Sequence, residues 1–176
     1  DTHGRRKTVA DARNGTNSFT YNNADLVETV TTPAPGTLGQ SAQVTTSYYD
    51  NSLRLYRTVL PDGASVTNLY HLSGQKRLEF GARTYPVGYG YDSQGRLTRM
   101  TNWSAFPDQG ERVTAWNYDP ATGWLSSKAY PDATGPSYGY TTAGRLSSRT
   151  WARNSGLQTS YTPNFAGQVA SISYSD

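Results

Sequence analysis

Cysteine is absent from this chain of 176 residues, which excludes disulfides, thiolate zinc sites and cysteine nucleophiles together. Long apolar runs are missing too. Nothing approaches the roughly 20 residues that span a bilayer as a helix, and no stretch resembles a signal peptide, so no membrane span is expected. Charge is sparse at 16%, with sixteen basic and thirteen acidic residues spread along the sequence for a net +3 and a pI near 9.1. A nucleic-acid footprint needs a basic cluster. The nearest thing is Arg5-Arg6-Lys7, which reads as a solvated strand or turn, so no nucleic acid is expected as a partner. Only 35% of the residues are hydrophobic, and the usual aliphatic core is thin. Strong helix formers are scarce and no window holds a 3.6-residue period. Secreted eukaryotic modules so rich in turns often carry disulfides, so their absence leans toward a bacterial protein.

Aromatic residues are plentiful instead: fourteen tyrosines and four tryptophans, rings that bury much apolar area while keeping a polar tip satisfied. Any core is therefore expected to be aromatic. Thr, Ser, Tyr, Val and Gly bias the chain to strand and turn throughout. A phrase also returns. Tyr91-Asp92-Ser93-Gln94-Gly95-Arg96-Leu97 is echoed by Tyr49-Asp50-Asn51-Ser52-Leu53-Arg54-Leu55 and by Tyr140-Thr141-Thr142-Ala143-Gly144-Arg145-Leu146. Looser copies start at Tyr21, Tyr70, Tyr118 and Tyr161, and Asp1-Thr2-His3-Gly4-Arg5 reads as a copy without its tyrosine. The anchors are spaced by 28, 21, 21, 27, 22 and 21 residues, a period of about 21 with two insertions. Such self-similarity marks a repeat architecture.

Each copy reads as strand, tight turn, strand. In residues 83–103 the strand formers Thr84, Tyr85, Val87, Tyr89 and Tyr91 lead into Asp92-Ser93-Gln94-Gly95, and Leu97, Thr98, Met100 and Thr101 follow. Aspartate at the first turn position accepts backbone amides, and glycine at the fourth takes positive φ without steric cost. Leu97, Leu125 and Leu146 each follow a turn glycine (Gly95, Gly123 and Gly144) by two positions, placing one apolar side chain per returning strand on a fixed face to fill the core. A second turn chemistry alternates with the first, as Pro61-Asp62-Gly63, Pro131-Asp132-Ala133 and Tyr174-Ser175-Asp176. The period minus two loops leaves strands of roughly 6 to 7 residues. One insertion, 31–40, carries two prolines and two glycines and reads as a surface loop; the other, around 102–111, reads as a lengthened turn at Phe106-Pro107-Asp108-Gln109-Gly110.

The signature resembles the YD-repeat (Rhs) family: Tyr-Asp, two variable residues, Gly-Arg-Leu, and a later Tyr-x-Tyr-Asp. Tyr89-Gly90-Tyr91-Asp92-Ser93-Gln94-Gly95-Arg96-Leu97 fits it fully, and about eight copies cover essentially the whole chain. The repeat signature falls on Tyr49, Asp50, Arg54, Leu55, Tyr91, Asp92, Gly95, Arg96, Leu97, Tyr118, Asp119, Gly123, Leu125, Tyr140, Gly144, Arg145 and Leu146. Departures occur where Asp25 and Leu53 replace Gly, Lys76 replaces Leu, and His71, Thr141 and Thr162 replace Asp. The resemblance implies an all-β fold in which tandem antiparallel hairpins form one continuous coiling sheet, as in bacterial Rhs toxins, insecticidal toxin complexes and teneurins. In the bacterial cases that shell encloses a toxin. The family's autocleavage segment has no counterpart here, since Asp119-Pro120 belongs to a repeat turn.

Candidate sites have simpler readings beside the functional ones. His3 and His71 occupy turn positions, where exposed polar residues are ordinary and a catalytic base is not required. Asp50, Asp92 and Asp119 form a row of carboxylates that turn capping explains without calcium, whose sites need several converging oxygens. Arg54, Arg96 and Arg145 form a parallel row, each able to stack on a tyrosine of a neighbouring strand. Tyrosine rows and Trp103, Trp116, Trp124 and Trp151 suit sugar rings, but cross-strand packing accounts for them equally. Asn14-Gly15-Thr16 and Asn102-Trp103-Ser104 are sequons near predicted loops, making Asn14 and Asn102 candidate N-glycosylation sites.

The expectation is a single array over residues 1–176, a segment of a longer chain or assembly. Its work would be structural and without catalysis: a β-sheet shell or fibre wall, extracellular or on a bacterial cell surface. No catalytic residue, metal or cofactor is assigned. Expected partners are further repeats of the same chain or identical subunits stacked edge to edge, with glycans as the alternative should the aromatic rows face outward.

Overall fold

The structure is a computed structural model that describes residues 1–36, 39–153 and 156–175. Every regular element in those residues is a strand, and there are fifteen. They are β1 (Thr8–Asp11), β2 (Gly15–Tyr21), β3 (Val27–Thr32), β4 (Gln43–Tyr49), β5 (Leu55–Val59), β6 (Ser65–Tyr70) and β7 (Lys76–Gly81), then β8 (Val87–Tyr91), β9 (Leu97–Ala105), β10 (Gln109–Tyr118), β11 (Leu125–Ala129), β12 (Ser137–Tyr140), β13 (Leu146–Thr150), β14 (Gln158–Pro163) and β15 (Val169–Tyr174). Two compact units divide the chain, Asp1–Pro86 and Val87–Asp176. In the first, β1 to β7 pair antiparallel in sequence order. In the second, β8 to β15 do the same. The tandem antiparallel hairpins expected from the period are thus the fold, and β1 and β15 each pair on one side only among the described residues.

Turn chemistry explains the rhythm. At Asp92 the Gly95 amide donates to the Asp92 carbonyl at 3.0 Å and the Asp92 amide donates to the Arg96 carbonyl at 3.0 Å. The same pair of bonds recurs at Asn22, Asp50, His71, Thr141 and Asn164. Register slips by one residue at the strand end before each turn, for example between Gly90 and Tyr91 and between Tyr48 and Tyr49. A turn whose fourth residue is left-handed, followed by a bulge, is a standard hairpin closure, and it adds right-handed twist. The turns of the second chemistry differ in composition, but the two that contain proline do not differ in bonding: Gly63 donates to Leu60 and Ala133 to Tyr130, as Gly95 does to Asp92. In the third of them, Asp176 lies outside the described residues.

The last copy needs a correction. Its turn starts at Asn164, not Thr162: the Gly167 amide donates to the Asn164 carbonyl, and the Gln168 amide donates to Asn164 Oδ1 at 3.0 Å. Pro163, not Tyr161, therefore holds the position before the turn. Asparagine supplies the same acceptor as aspartate, which is why the copy folds without the consensus letter.

The two insertions behave differently from each other. Residues 33–36 and 39–42 are irregular, as a surface loop should be, with Thr37 and Leu38 outside the described residues. The second insertion does not lengthen a turn. It lengthens strands, with β9 and β10 running to 9 and 10 residues and pairing as far as Ala105 with Gln109. Only Phe106-Pro107-Asp108 turns, with a cis Phe106–Pro107 bond and the Phe106 ring edge-on to Trp103 at 5.2 Å.

The expected aromatic core is absent. Pro136 is the one apolar side chain fully buried among the described residues, no aromatic or aliphatic one is, and the signature leucines Leu55, Leu97 and Leu125 are half-buried while Leu146 is exposed. Within each unit the strands make a sheet layer with no second layer of described residues against it, so rings and aliphatics shield each other sideways instead of packing inward. Buried polar residues, Asn68, Thr101 and Thr159, sit inside strands.

One strained position offers a test. Leu53 takes the left-handed conformation (φ 62°) that glycine takes in the sister turns, and its side chain is 56% exposed, so little packing would be lost on truncation. Left-handed backbone costs a non-glycine residue roughly 1–2 kcal/mol, partly offset by the greater freedom of glycine when unfolded. Leu53→Gly is expected to raise unfolding free energy by about 0.5–1 kcal/mol, read by urea denaturation.

Candidate functional site

The signature residues assemble into one structure, a latch between consecutive hairpins. It begins inside the turn. Asp92 Oδ1 accepts the Gln94 and Arg96 amides at 3.0 and 2.9 Å, and Oδ2 accepts Arg96 Nε at 2.7 Å. Asp50 does the same with Ser52 and Arg54 (2.9, 3.0 and 2.8 Å). Asp1 repeats it with His3 and Arg5 (2.9, 3.0 and 2.7 Å). The carboxylate thus fixes both the turn and the direction of its arginine.

That arginine then crosses to the next copy. Arg54 Nη1 donates to the His71 carbonyl at 3.1 Å, Arg96 Nη1 to the Gly123 carbonyl at 2.9 Å, and Arg145 Nη1 to the Asn164 carbonyl at 3.3 Å. Its guanidinium also lies over the next tyrosine: Arg5 over Tyr21 at 4.5 Å, Arg54 over Tyr70 at 4.7 Å, Arg96 over Tyr118 at 4.3 Å. Tyrosine answers in the opposite direction. Tyr49 donates its hydroxyl to the Val27 carbonyl at 2.9 Å, Tyr70 to Leu55 at 2.7 Å, Tyr118 to Leu97 at 2.9 Å and Tyr140 to Leu125 at 2.9 Å. Where the register has slipped, the bulge leaves a carbonyl off the ladder, and the hydroxyl satisfies it. Tyr21 makes the equivalent bond to the Arg6 carbonyl at 2.7 Å.

The turn glycine has a second duty here. A Cβ on Gly123 would stand 2.9 Å from Arg96 Nη1, and one on Gly144 would stand 2.7 Å from the Trp124 ring. The incoming side chain needs the room. Trp124 occupies the arginine position of its copy and meets Tyr140 at 5.2 Å between centroids, an aromatic replacement for the cation. Its turn is one residue longer, with the Gly123 amide reaching the Asp119 carbonyl at 2.8 Å and Asp119 Oδ1 taken by Ala121 and Thr122.

These contacts place the other candidates. The carboxylates of Asp50, Asp92 and Asp119 each turn into their own loop. Among the described residues no three of His, Cys, Asp and Glu gather as a metal site would require. His3 is exposed in the first turn, and His71 is half-buried, offering its carbonyl to Arg54. The four tryptophans are half-buried and each is engaged nearby: Trp103 by Phe106, Trp116 by Lys128, Trp124 by Tyr140, and Trp151 by Arg149 and, through Nε1, by Thr159 at 2.9 Å. Asn14 is exposed in the turn between β1 and β2. Asn102 does not lie in a loop: it is exposed within β9, facing Val87 on one side and Arg112 on the other. Lys128, Arg149 and Arg153 were not singled out from sequence, although residues 120–175 show four bases against one acid.

The latch tunes its carboxylates. The Arg54 side chain and then its amide hold Asp50 below the usual aspartate range, against a smaller opposing effect of burial. Burial pushes Asp92 up, but the amide and side chain of Arg96 together outweigh it, so it too sits low. Asp119 is lowered by the amide and hydroxyl of Thr122. A depressed carboxyl contributes stability that is present above its unfolded value, about 3.9, and is lost as pH falls through the lower folded value. Unfolding free energy should therefore hold steady above about pH 5 and decline below about pH 4, in denaturant titrations at stepped pH. Asp50→Asn together with Asp92→Asn should flatten that decline.

Tyrosine carries a second test. Tyr118→Phe keeps the ring under Arg96 but strands the Leu97 carbonyl, and is expected to cost about 1 kcal/mol. Tyr161→Phe, outside the latch position, should change stability by less than about 0.5 kcal/mol in the same titration.

No family model matches the chain, and no curated protein matches it. Solved structures do. The chain is similar to the Tc holotoxin pore of Photorhabdus luminescens with mutated TccC3, at 17% identity over 91% of this chain and 9% of that one, with a TM-score of 0.69. It is likewise similar to TcdB2-TccC3-Cdc42 (15% identity, 90% of this chain and 9% of that one, TM-score 0.67) and to TcdB2-TccC3 (15%, 93% and 12%, TM-score 0.55). The chain spans about a tenth of the length of the structures it matches. At this identity the likeness shows the fold: a run of tandem hairpins of the Rhs-like kind.

Proposed function

We propose that this chain is a scaffold segment of a YD-repeat protein, whose work is to form a β-sheet wall, as a shell or a fibre, without catalysis. The observation that carries the reading is the latch. The residues that recur most faithfully are spent on joining one hairpin to the next, with their bonds made to partners inside the array. Aspartate, arginine and tyrosine at an active site would keep a face turned to substrate. Support for a secreted bacterial setting comes from the Tc toxin structures that share the fold. Further repeats or a second copy would pair along the outer edges of β1 and β15, whose residues are all exposed and whose free backbone groups are templates for another strand.

A scaffold made of period-length units should tolerate loss of one. Deleting residues 50–70 removes β5 and β6 and joins β4 to β7 through the turn at His71, with the Tyr49 latch to Val27 intact. The shortened chain is expected to keep its strand circular dichroism and a cooperative unfolding transition, whereas deleting residues 60–70 alone, which removes only β6 and its turn, should abolish both. Loss of the fold in the first deletion would overturn the modular reading. Hydrolase activity in the purified chain that a single substitution removes would overturn the non-catalytic one.

A further inference from the structure

Away from the latch, the second unit holds a cluster of cations that the array does not use. Residues 120–175 carry Lys128, Arg145, Arg149 and Arg153 against Asp132 as the lone acid, and Asp132 Oδ1 is already taken by Thr134. Arg145 serves the latch. The other three make no ion pair among the described residues. Strand register puts them with aromatic partners on one face: Lys128 stands opposite Trp116, and Arg149 stands opposite Tyr138 on one side and Thr159 on the other. Lys128 and Arg149 flank β12, so their strands lie about 10 Å apart. On the Arg149 side opens a cleft of about 310 Å³ lined by Tyr130, Pro136, Arg149, Trp151, Ala152 and Arg153.

Arg149 is set up to receive a charge. Its guanidinium carbon lies 3.9 Å from the centre of the Trp151 ring, and the indole is pinned by its own bond to the buried Thr159. Its Nε is shielded from solvent with no hydrogen-bond partner. A half-desolvated guanidinium with no acceptor retains a strong preference for an oxyanion along its open edge, where the planar fork donates to two oxygens at once. Arg153 lines the same cleft and adds a second fork.

The geometry points to a binding site for an acidic polysaccharide, held by its carboxylate or sulfate groups at Arg149 and Arg153 and extending toward Lys128. Two features favour a sugar polymer. Cations spaced across neighbouring strands match a chain that carries an acid group in successive units, better than a single small anion. Three of the rings that a nucleic acid would use for stacking are already engaged by cations, Trp116 and Tyr130 by Lys128 at 4.9 and 5.0 Å and Trp151 by Arg149, which leaves less open ring for bases. This site stands independently of the scaffold reading.

The test uses the full chain in about 0.15 M salt, titrated calorimetrically with heparin oligosaccharide as the sulfated probe and polyguluronate as the carboxylated one. At least one is expected to bind. Arg149→Gln with Arg153→Gln should weaken it by about tenfold or more, and Arg149→Lys, which keeps the charge but loses the fork, should fall between. Arg153 makes no hydrogen bond or ion pair among the described residues, so Arg153→Gln alone should still weaken binding about threefold or more, which separates lost binding from lost folding. Arg112→Gln, exposed on β10 and outside the cleft, should leave affinity unchanged. Absence of binding to both polymers would overturn the proposal. So would an equal loss from Arg112→Gln, tighter binding of single-stranded DNA or polyglutamate, or sodium sulfate binding as tightly as the polymers, which would mean an adventitious ion only.

Discussion

The tyrosine hydroxyl that reaches back to a carbonyl of the preceding hairpin is the bond on which the array depends. An isolated hairpin is marginal in water, and here no aromatic or aliphatic side chain among the described residues is buried to help it. Ladder bonds join neighbouring strands but say little about how one turn sits beside the next. The latch does. Arginine goes forward to the next turn and tyrosine comes back to the previous strand, so two bonds and a cation–π contact of roughly 0.5–1 kcal/mol close every junction where the full motif is present.

This division of labour explains which letters can change. The first turn position needs an oxygen that accepts amides, and Asn22, Thr141 and Asn164 supply one as well as aspartate does. The fourth needs left-handed backbone, which Asp25 and Leu53 adopt at some strain. The fifth is the most permissive: Arg5, Arg54 and Arg96 lie over the next tyrosine and Trp124 meets Tyr140, while Leu26, Gln75 and Gln168 hold the position in turns that close by the same backbone bonds. Only the tyrosine ring combines an apolar body with a hydroxyl at the right reach.

Period and turn chemistry were legible because they are local: Asp92, Gly95 and the alternation around them specify a hairpin within about ten residues. Direction and partner of the side chains were only half legible. That Arg54 and Arg96 would stack on a neighbouring tyrosine follows from the rows they form, but the tyrosine bond to Leu55 or Leu97 depends on a bulge that spacing does not show. Misplacing the last turn at Thr162 came from trusting the tyrosine over the Asn-x-x-Gly beside it. The aromatic core failed as an expectation because composition counts rings without saying whether a second layer exists to receive them. Asn102 fell in a strand because the extra residues near it carry Trp103, Val113 and Trp116, which extend a sheet more readily than they make a loop.

The tyrosine bond also has an order in time. Its acceptor always lies upstream, as Leu55 does for Tyr70 and Leu97 for Tyr118, so when a tyrosine leaves the ribosome its partner has already been made. Each new hairpin can lock onto its predecessor at once, through contacts only about one period away, and none waits for distant sequence. A chain of this kind can fold at the pace of its own synthesis, however many repeats it has, without holding long stretches of unpaired strand in reserve.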